Sequence, residues 1–384
     1  MIYKIADNIV SPLGWTTEEN WNAVVNLQSG LQFHDDLFDL PESFFGAWLP
    51  DDRLSERFSR MSHQQHLTKC EKMAVLSIAD AFQQVDISPE SQEVVFVFST
   101  TKGNVELLED LQGYEPTRPY LWRMAEVVAR FFGNPNPPVV VSNACISGCA
   151  AQITADRLLA AGPYRYVVVC GVDVLSKFVI SGFQSFKALS PERCRPFDEN
   201  RLGLNLGEAA ATMIYRADEQ ESSLTLLGGY ICNDANHISA PSRTAEGLVT
   251  AIERLFEQLG TVDAQQLAFI NAHGTATRYN DDMESVAIQR LNLSHLPVNS
   301  LKGYFGHTLG AAGVLETIIS SKEIAEGWIL PSVGCETPGT VTPLKVVQKM
   351  EKTDKPLFLK MISGFGGSNA AVLYAKNKDV FNQF

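Results

Sequence analysis

The sequence predicts an α/β protein made of two halves of similar layout, with largely parallel sheets. Short β-branched or aromatic runs recur, each followed by a polar loop and a helical pattern. The series occurs twice, in the same order, along 384 residues. With 45% hydrophobic residues the chain can fill a large core, either as one big domain or as two fused ones.

In the first half the series is EVVFVFSTTKGNVELLEDL, then PPVVVSNACISGCAAQITADRLLAAG, then YRYVVVCGVDVLS. In the second it is LAFINAHGTATRYNDDMESVAI, PVNSLKGYFGHTLGAAGVLETIISSKEI and PLFLKMISGFGGSNAAVLY. Buried strands alternating with helices place ligands where loops leave the strand ends. A polar connector, RADEQESS, near residues 216–226 separates the halves, giving 1–220 and 221–384. Their loops are expected to meet at one seam.

From Ser147, Ala150, Ile153, Ala155, Leu158 and Leu159 fall near helical spacing, and Gly162 and Pro163 stop the helix. Around 307–325 a second helix opens on small residues and closes at Gly327. Cys145 therefore sits where the run VVV at 139–141 gives way to a helix entrance. A thiol there meets unpaired N–H groups and the positive end of the macrodipole, which favour thiolate. Inert packing is the competing reading, since free cysteine behaves as a small hydrophobe. Cys149, one turn deeper, and Cys70, Cys170, Cys194, Cys232 and Cys335 read as structural.

His273 in NAHGTATRYND and His307 in SLKGYFGHTLGAAG each follow a strand and sit beside glycine, at equivalent points of the repeated units. Lone loop histidines are usually ordinary surface residues. Two in register, with Lys302 and Asp281 nearby, suit donation to an enolate or oxyanion, or proton shuttling. SGFGGSN at 363–369 lies between two strand-like runs, whereas a dinucleotide fingerprint must open a helix. It reads as a tight turn presenting an N–H, with Phe365 as an apolar lid.

The formal charge is −13, with 44 acidic against 31 basic residues, which argues against general nucleic-acid binding and against anionic membranes. No apolar run reaches a spanning length and the N-terminus lacks a signal-peptide layout, so the cytoplasm is expected. Seven cysteines without framework spacing, and no CxxC or HExxH, indicate neither disulfides nor a metal site. One basic stretch, RLSERFSRMSHQQHLTKCEK, includes Arg57 and Arg60. A solvated helix face explains it as well as a docking patch does.

Together these motifs resemble the β-ketoacyl-acyl-carrier-protein synthases of the elongating Cys-His-His type, from SPLG at 11–14 to GFGGSN at 364–369. ACISG resembles the nucleophile motif, assigning Cys145. CRPFDENRLGLNLGEAA at 194–210 resembles a further family segment, with Ala209 and Leu202 departing from the usual Gly and Asp, and NDANHISAP at 233–241 also fits. The histidine motifs assign His273, with Thr275, Thr277 and Asp281 shaping its loop, and Lys302, His307 and Glu316. The resemblance implies the thiolase-like five-layered α/β/α/β/α fold of two related halves.

It also implies the reaction. Cys145 takes an acyl chain from acyl carrier protein. Malonyl on a second carrier loses CO₂ while both histidines stabilise the enolate, and the carbanion attacks the thioester. The N–H groups of Cys145 and Phe365, with Gly366 in the same loop, would form the oxyanion and gate element. Lys302 and Glu316 would give electrostatic support, and no cofactor is needed. The implied partners are acyl and malonyl carrier protein, met by a patch including Arg57 and Arg60. A homodimer is expected, with a heterodimer as the alternative. Ser363 stands where the family often has a second gating aromatic, and such departures point to a specialised polyene or secondary-lipid pathway. A non-catalytic chain-length partner would lack the nucleophile. A thiolase would add a cysteine at 363–369, and a cysteine hydrolase would release free acid without using malonyl carrier.

Overall fold

A computed structural model describes residues 1–62, 66–218, 224–260 and 262–376. The boundary expected at 220/221, inside the polar connector, lies outside the described residues. Ten strands form the body of one sheet: β1 (Ile2–Val10), β2 (Val94–Ser99), β3 (Val139–Val141), β4 (Tyr166–Asp173), β5 (Ala209–Arg216), β6 (Leu224–Asn233), β7 (Leu267–Asn271), β8 (Pro297–Asn299), β9 (Leu357–Gly364) and β10 (Ser368–Ala375). Their spatial order is β3-β2-β4-β5-β1, then β6-β10-β9-β7-β8, with the short strand Lys345–Val346 beyond β8. Read outward from the centre, the two halves have the same order. The repeat seen along the sequence is thus a repeat of topology, and β1 and β6 join the copies through Ile2↔Leu226, Tyr3↔Thr225 and Lys4↔Leu224.

The sheets are not largely parallel. Parallel pairing holds for β2 with β3 and β4, and for β7 with β8 and β9. Around β5, β1, β6 and β10 every pairing is antiparallel. The glycine turn explains part of this. It closes β9 onto β10 as a hairpin, with Gly366 and Gly367 at φ +82° and +75°, and a hairpin can only join antiparallel strands.

The principal helices are α1 (Asp51–Ser59), α2 (Lys69–Phe82), α3 (Leu121–Phe131), α4 (Ser147–Ala161), α5 (Lys177–Ser185), α6 (Glu246–Leu259), α7 (Arg278–Arg290) and α8 (Ala312–Glu326). Helices α2 and α3 cover the outer face of the first half-sheet, around Met73, Phe96 and Val128. Helix α6, with α7 against it, covers the outer face of the second, around Leu248, Ile252 and Ile270. Between the half-sheets lie α4 and α8, each touching strands of both. Five layers result, and the fold is the thiolase-like one.

Sequence explains why α4 and α8 alone fit the middle layer. Both are buried nearly all round and open on small residues. A Cβ on Gly148 would lie 2.8 Å from the Gly313 Cα, so the two backbones meet where no side chain fits. Helix α8 begins five residues later than its sequence pattern suggests. Leu309 takes a left-handed φ of +50°, and residues 309–311 form a 3₁₀ turn. The N–H groups freed there go to the His307 ring and to Asp173. Among the described residues no helix is long and apolar enough to cross a membrane.

Candidate active site

Cys145 lies between β3 and α4, two residues ahead of the first helical residue. Ala144 before it is held left-handed at φ +44°, and Ser147 Oγ closes the turn by accepting from Asn143 N and donating to Ala144 O. The turn aims the side chain across the seam at the second half. There His307, presented after the short helix Lys302–Phe305, places Nε2 3.0 Å from the Cys145 sulfur. His273 leaves the end of β7, and its ring meets that of His307 edge-on, centroids 4.8 Å apart. The thiol and one nitrogen of each ring all lie within 4.8 Å of one another, and all three residues are buried. Repeated topology brings them together, because all three loops leave parallel strands at the seam.

Hydrogen bonds fix the tautomer of His307. Its Nδ1 accepts from Leu309 N at 3.3 Å, so the ring proton sits on Nε2 and points at the sulfur. Burial, and then the charge of Lys302, hold both imidazoles well below their ordinary pKa. Each is neutral at physiological pH and can donate through one N–H. Neither ring has a carboxylate partner among the described residues, and His273 Nδ1 is buried without any hydrogen-bond partner there.

The expectation that the helix entrance yields a ready thiolate is overturned. Burial pushes the Cys145 thiol up to about 11, against the opposing charges of Lys302 and Lys102 and an N–H from Phe365. Desolvation outweighs the dipole because the sulfur lies inside rather than in the solvated first turn. Cys149 is pushed up further, to about 12, and packs against Gly313.

A cavity of about 490 Å³ reaches Cys145, His273 and His307 from the surface. Thr275 and Thr277 line it, their hydroxyls 2.9 Å apart. Asp281 lies beneath them, buried, accepting from Phe197 N at 2.8 Å and bound by the Thr275 N–H. It holds the loop and does not touch the rings. At Gly364 the glycine turn runs against the nucleophile, where a Cβ would lie 3.0 Å from Cys145 N. The N–H groups of Cys145 and Phe365 are therefore neighbours. Gly366 is not an oxyanion donor: its N–H is spent on Ile238 O at 2.7 Å, which ties the turn to residues 233–241. Phe365 stacks on Phe183 and meets Phe186 edge-on, so α5 and the residue after it supply aromatics where Ser363 is small. Ser363 itself is buried and donates to Asn369 Oδ1.

Lys302 and Glu316 form a buried ion pair beneath the histidines. Sequence reasoning missed two participants. Glu284, on α7, accepts the His273 and Gly274 N–H groups, each at 2.7 Å. Lys360, in the middle of β9, puts Nζ 2.6 Å from Glu316 Oε2. The available signal was a single lysine inside the otherwise apolar run LFLKMI. Arg57 and Arg60 lie elsewhere. Arg57 faces Asp80 at 3.6 Å and borders a separate polar cavity, while Arg60 pairs with Glu56 on α1. At the mouth of the cavity to Cys145 stand exposed Lys187 and Arg278, with no ion-pair partner among the described residues.

A sulfur and two neutral imidazoles thus converge at the seam of a thiolase-like fold. Residues 5–220 match the N-terminal domain model of the beta-ketoacyl synthases, and residues 225–336 match the C-terminal one. The chain belongs to the β-ketoacyl synthase family. It is 32% identical over 256 residues to the chloroplastic 3-oxoacyl-[acyl-carrier-protein] synthase II of Arabidopsis thaliana, covering 62% of this chain and 46% of that one. With 3-oxoacyl-[acyl-carrier-protein] synthase 2 of Rhizobium meliloti it shares 33% over 257 residues, 62% of this chain and 60% of the relative. The chain thus spans about half the length of these relatives. Among solved structures, a beta-ketoacyl synthase from Burkholderia phymatum superposes with a TM-score of 0.84 at 25% identity, over 97% of this chain and 98% of that one. The ketosynthase ApeO in complex with its chain length factor ApeC, from Xenorhabdus doucetiae, gives 0.86 at 24%, over 97% of each chain, a likeness of fold.

Proposed function

We propose that this protein is a β-ketoacyl-acyl-carrier-protein synthase that loads an acyl group on Cys145 and extends it by decarboxylative condensation with a malonyl carrier. The observation that carries this reading is two neutral imidazoles beside one sulfur, His307 donating to it, with no carboxylate on either ring among the described residues. A hydrolytic triad needs a ring that accepts the thiol proton and is oriented by a carboxylate. His307 does the reverse, donating from Nε2 toward the sulfur.

In the first step a bond forms between the Cys145 sulfur and the acyl carbonyl carbon. The carrier sulfur leaves and takes up the proton that Cys145 gives up. The N–H groups of Cys145 and Phe365 are placed to hold the oxyanion. Malonyl carrier then loses CO₂, and the electron pair of the broken C–C bond becomes an enolate. Its oxygen receives N–H donors from His273 and His307. The enolate carbon attacks the thioester, the new C–C bond forms, the C–S bond breaks, and Cys145 leaves as a thiolate that takes up a proton from water. Neutral donors suit this chemistry because an imidazolium would transfer its proton to the enolate and quench it.

The two cations at the cavity mouth suit an anionic carrier arm better than Arg57 and Arg60, which are paired in place. A homodimer is the assembly we assign, since β3 ends the sheet with an open edge and Val139, Val140 and Val141 half exposed. A heterodimer uses the same edge. The test is intact-protein mass spectrometry with acyl carrier protein. Cys145→Ala should form no acyl adduct, and His307→Ala should load normally yet release no CO₂ from malonyl carrier. An adduct on the first variant, or normal CO₂ release by the second, overturns the reading.

A further inference from the structure

We propose that Lys360 is a positioning residue of the condensation site: its buried ammonium ties Glu316 to the main chain just before His273 and supplies a second positive charge beneath the two imidazoles. The inference rests on the reading of function above and goes beyond it by one residue.

The geometry is direct. In β9 alternate side chains face opposite layers. Lys360 shares a face with Phe358 and Ile362, which belong to the core around α4 and α8. An ammonium in that row is fully buried, at 0% exposure. Unpaired, it would be strongly destabilising. It is paired on both sides, to Glu316 Oε2 at 2.6 Å and to Ala272 O at 3.4 Å. Ala272 is the residue before His273, and β9 runs parallel to β7 with Lys360 opposite Asn271. One side chain therefore links the strand carrying the glycine turn, the helix carrying Glu316 and the loop carrying His273.

Its charge matters as much as its bonds. Lys302 and Lys360 share the single carboxylate of Glu316, so two cations face one anion. Lys360 opposes protonation of both rings, after burial and Lys302 for His307, and after burial, Lys302 and the His307 ring for His273. Other charged or titratable groups near the rings are Cys145, Lys102 and Glu284, and each ring also faces the other. Glu316 is held below its ordinary pKa although burial opposes this, because both lysines favour its carboxylate. Lys360 acts through Glu316 and the His273 loop and touches no reacting atom.

The test compares wild type with Lys360→Met and Lys360→Gln. Gln keeps a donor toward Glu316 and Ala272 while dropping the charge. Two readouts are taken: histidine ring titration by NMR, with His273 and His307 assigned from single-site variants, and the pH profile of CO₂ release from malonyl carrier. We expect both variants to move the two ring titrations, and the acid limb of the profile, upward by about one pH unit. Well below the wild-type midpoint the rate falls about tenfold against wild type at the same pH. Unshifted ring titrations in a folded Lys360→Gln protein overturn the proposal. Should Lys360→Met fail to fold, Lys360→Gln decides the matter alone. Absence of CO₂ release from wild type would instead condemn the functional reading, with the ring titrations still judging Lys360.

Discussion

At the scale of single residues, the tension is between burying a nucleophile and ionising it. Cys145 is buried at the foot of the cavity, and burial raises its pKa to about 11. The thiol is the resting form at neutral pH. Alkylation by iodoacetamide should therefore keep accelerating through pH 9 without a plateau. Lys302→Met should slow it further, because Lys302 is the largest charge favouring thiolate there. A plateau near pH 7 would show a preformed thiolate and refute this account. Sequence exposed the sulfur by its strand-to-helix junction and the rings by their glycine-flanked loops. It concealed Lys360 and Glu284, whose importance comes from neighbours distant in the chain. A lysine within an apolar run and a glutamate within a polar helix carry no local mark of what they touch.

At the scale of elements, the central helices govern how closely the halves approach. Gly313→Ala would normally favour a helix, yet here the added Cβ lies 2.5 Å from Cys149 N. Overpacking of this kind costs about 1–3 kcal/mol, and a lower urea midpoint with unchanged m is the expected outcome. Further along α8, Glu323 is buried, accepts from Asn299 Nδ2 and Leu330 N, and is pushed up to about 8 by burial. Its folded pKa lies above its unfolded value near 4.3, so the stability it contributes is lost as pH rises toward 8. Glu106 and Glu284, at about 7, act in the same direction. Thermal midpoints should thus be higher at pH 6.5 than at pH 8, and Glu323→Gln should reduce that difference. The start of α8 was misjudged from its pattern, since the turn at 309–311 depends on bonds to Asp173 and His307. Those partners are fixed only when the halves meet.

For the whole molecule, the duplicated order of strands was legible because each copy repeats strand, loop and helix at similar spacing. Pairing direction was not, because a strand inside a buried sheet reads alike whether its neighbour runs with it or against it. The open edge at β3 carries the remaining prediction. Val140→Lys should reduce the mass measured by light scattering from that of two chains to one, leaving the thermal midpoint of the single chain nearly unchanged. A wild-type protein already of single-chain mass would remove the dimer from the proposal.

The junction of β1 with β6 bears on how the molecule tolerates trimming. Three consecutive residues near the start of the sequence stitch the two lobes into one continuous sheet. Loss of so small a piece would leave Cys145, His273 and His307 each in place on its own lobe. It would also open the sheet between them, leaving the packing of α4 on α8 to keep the sulfur beside the rings.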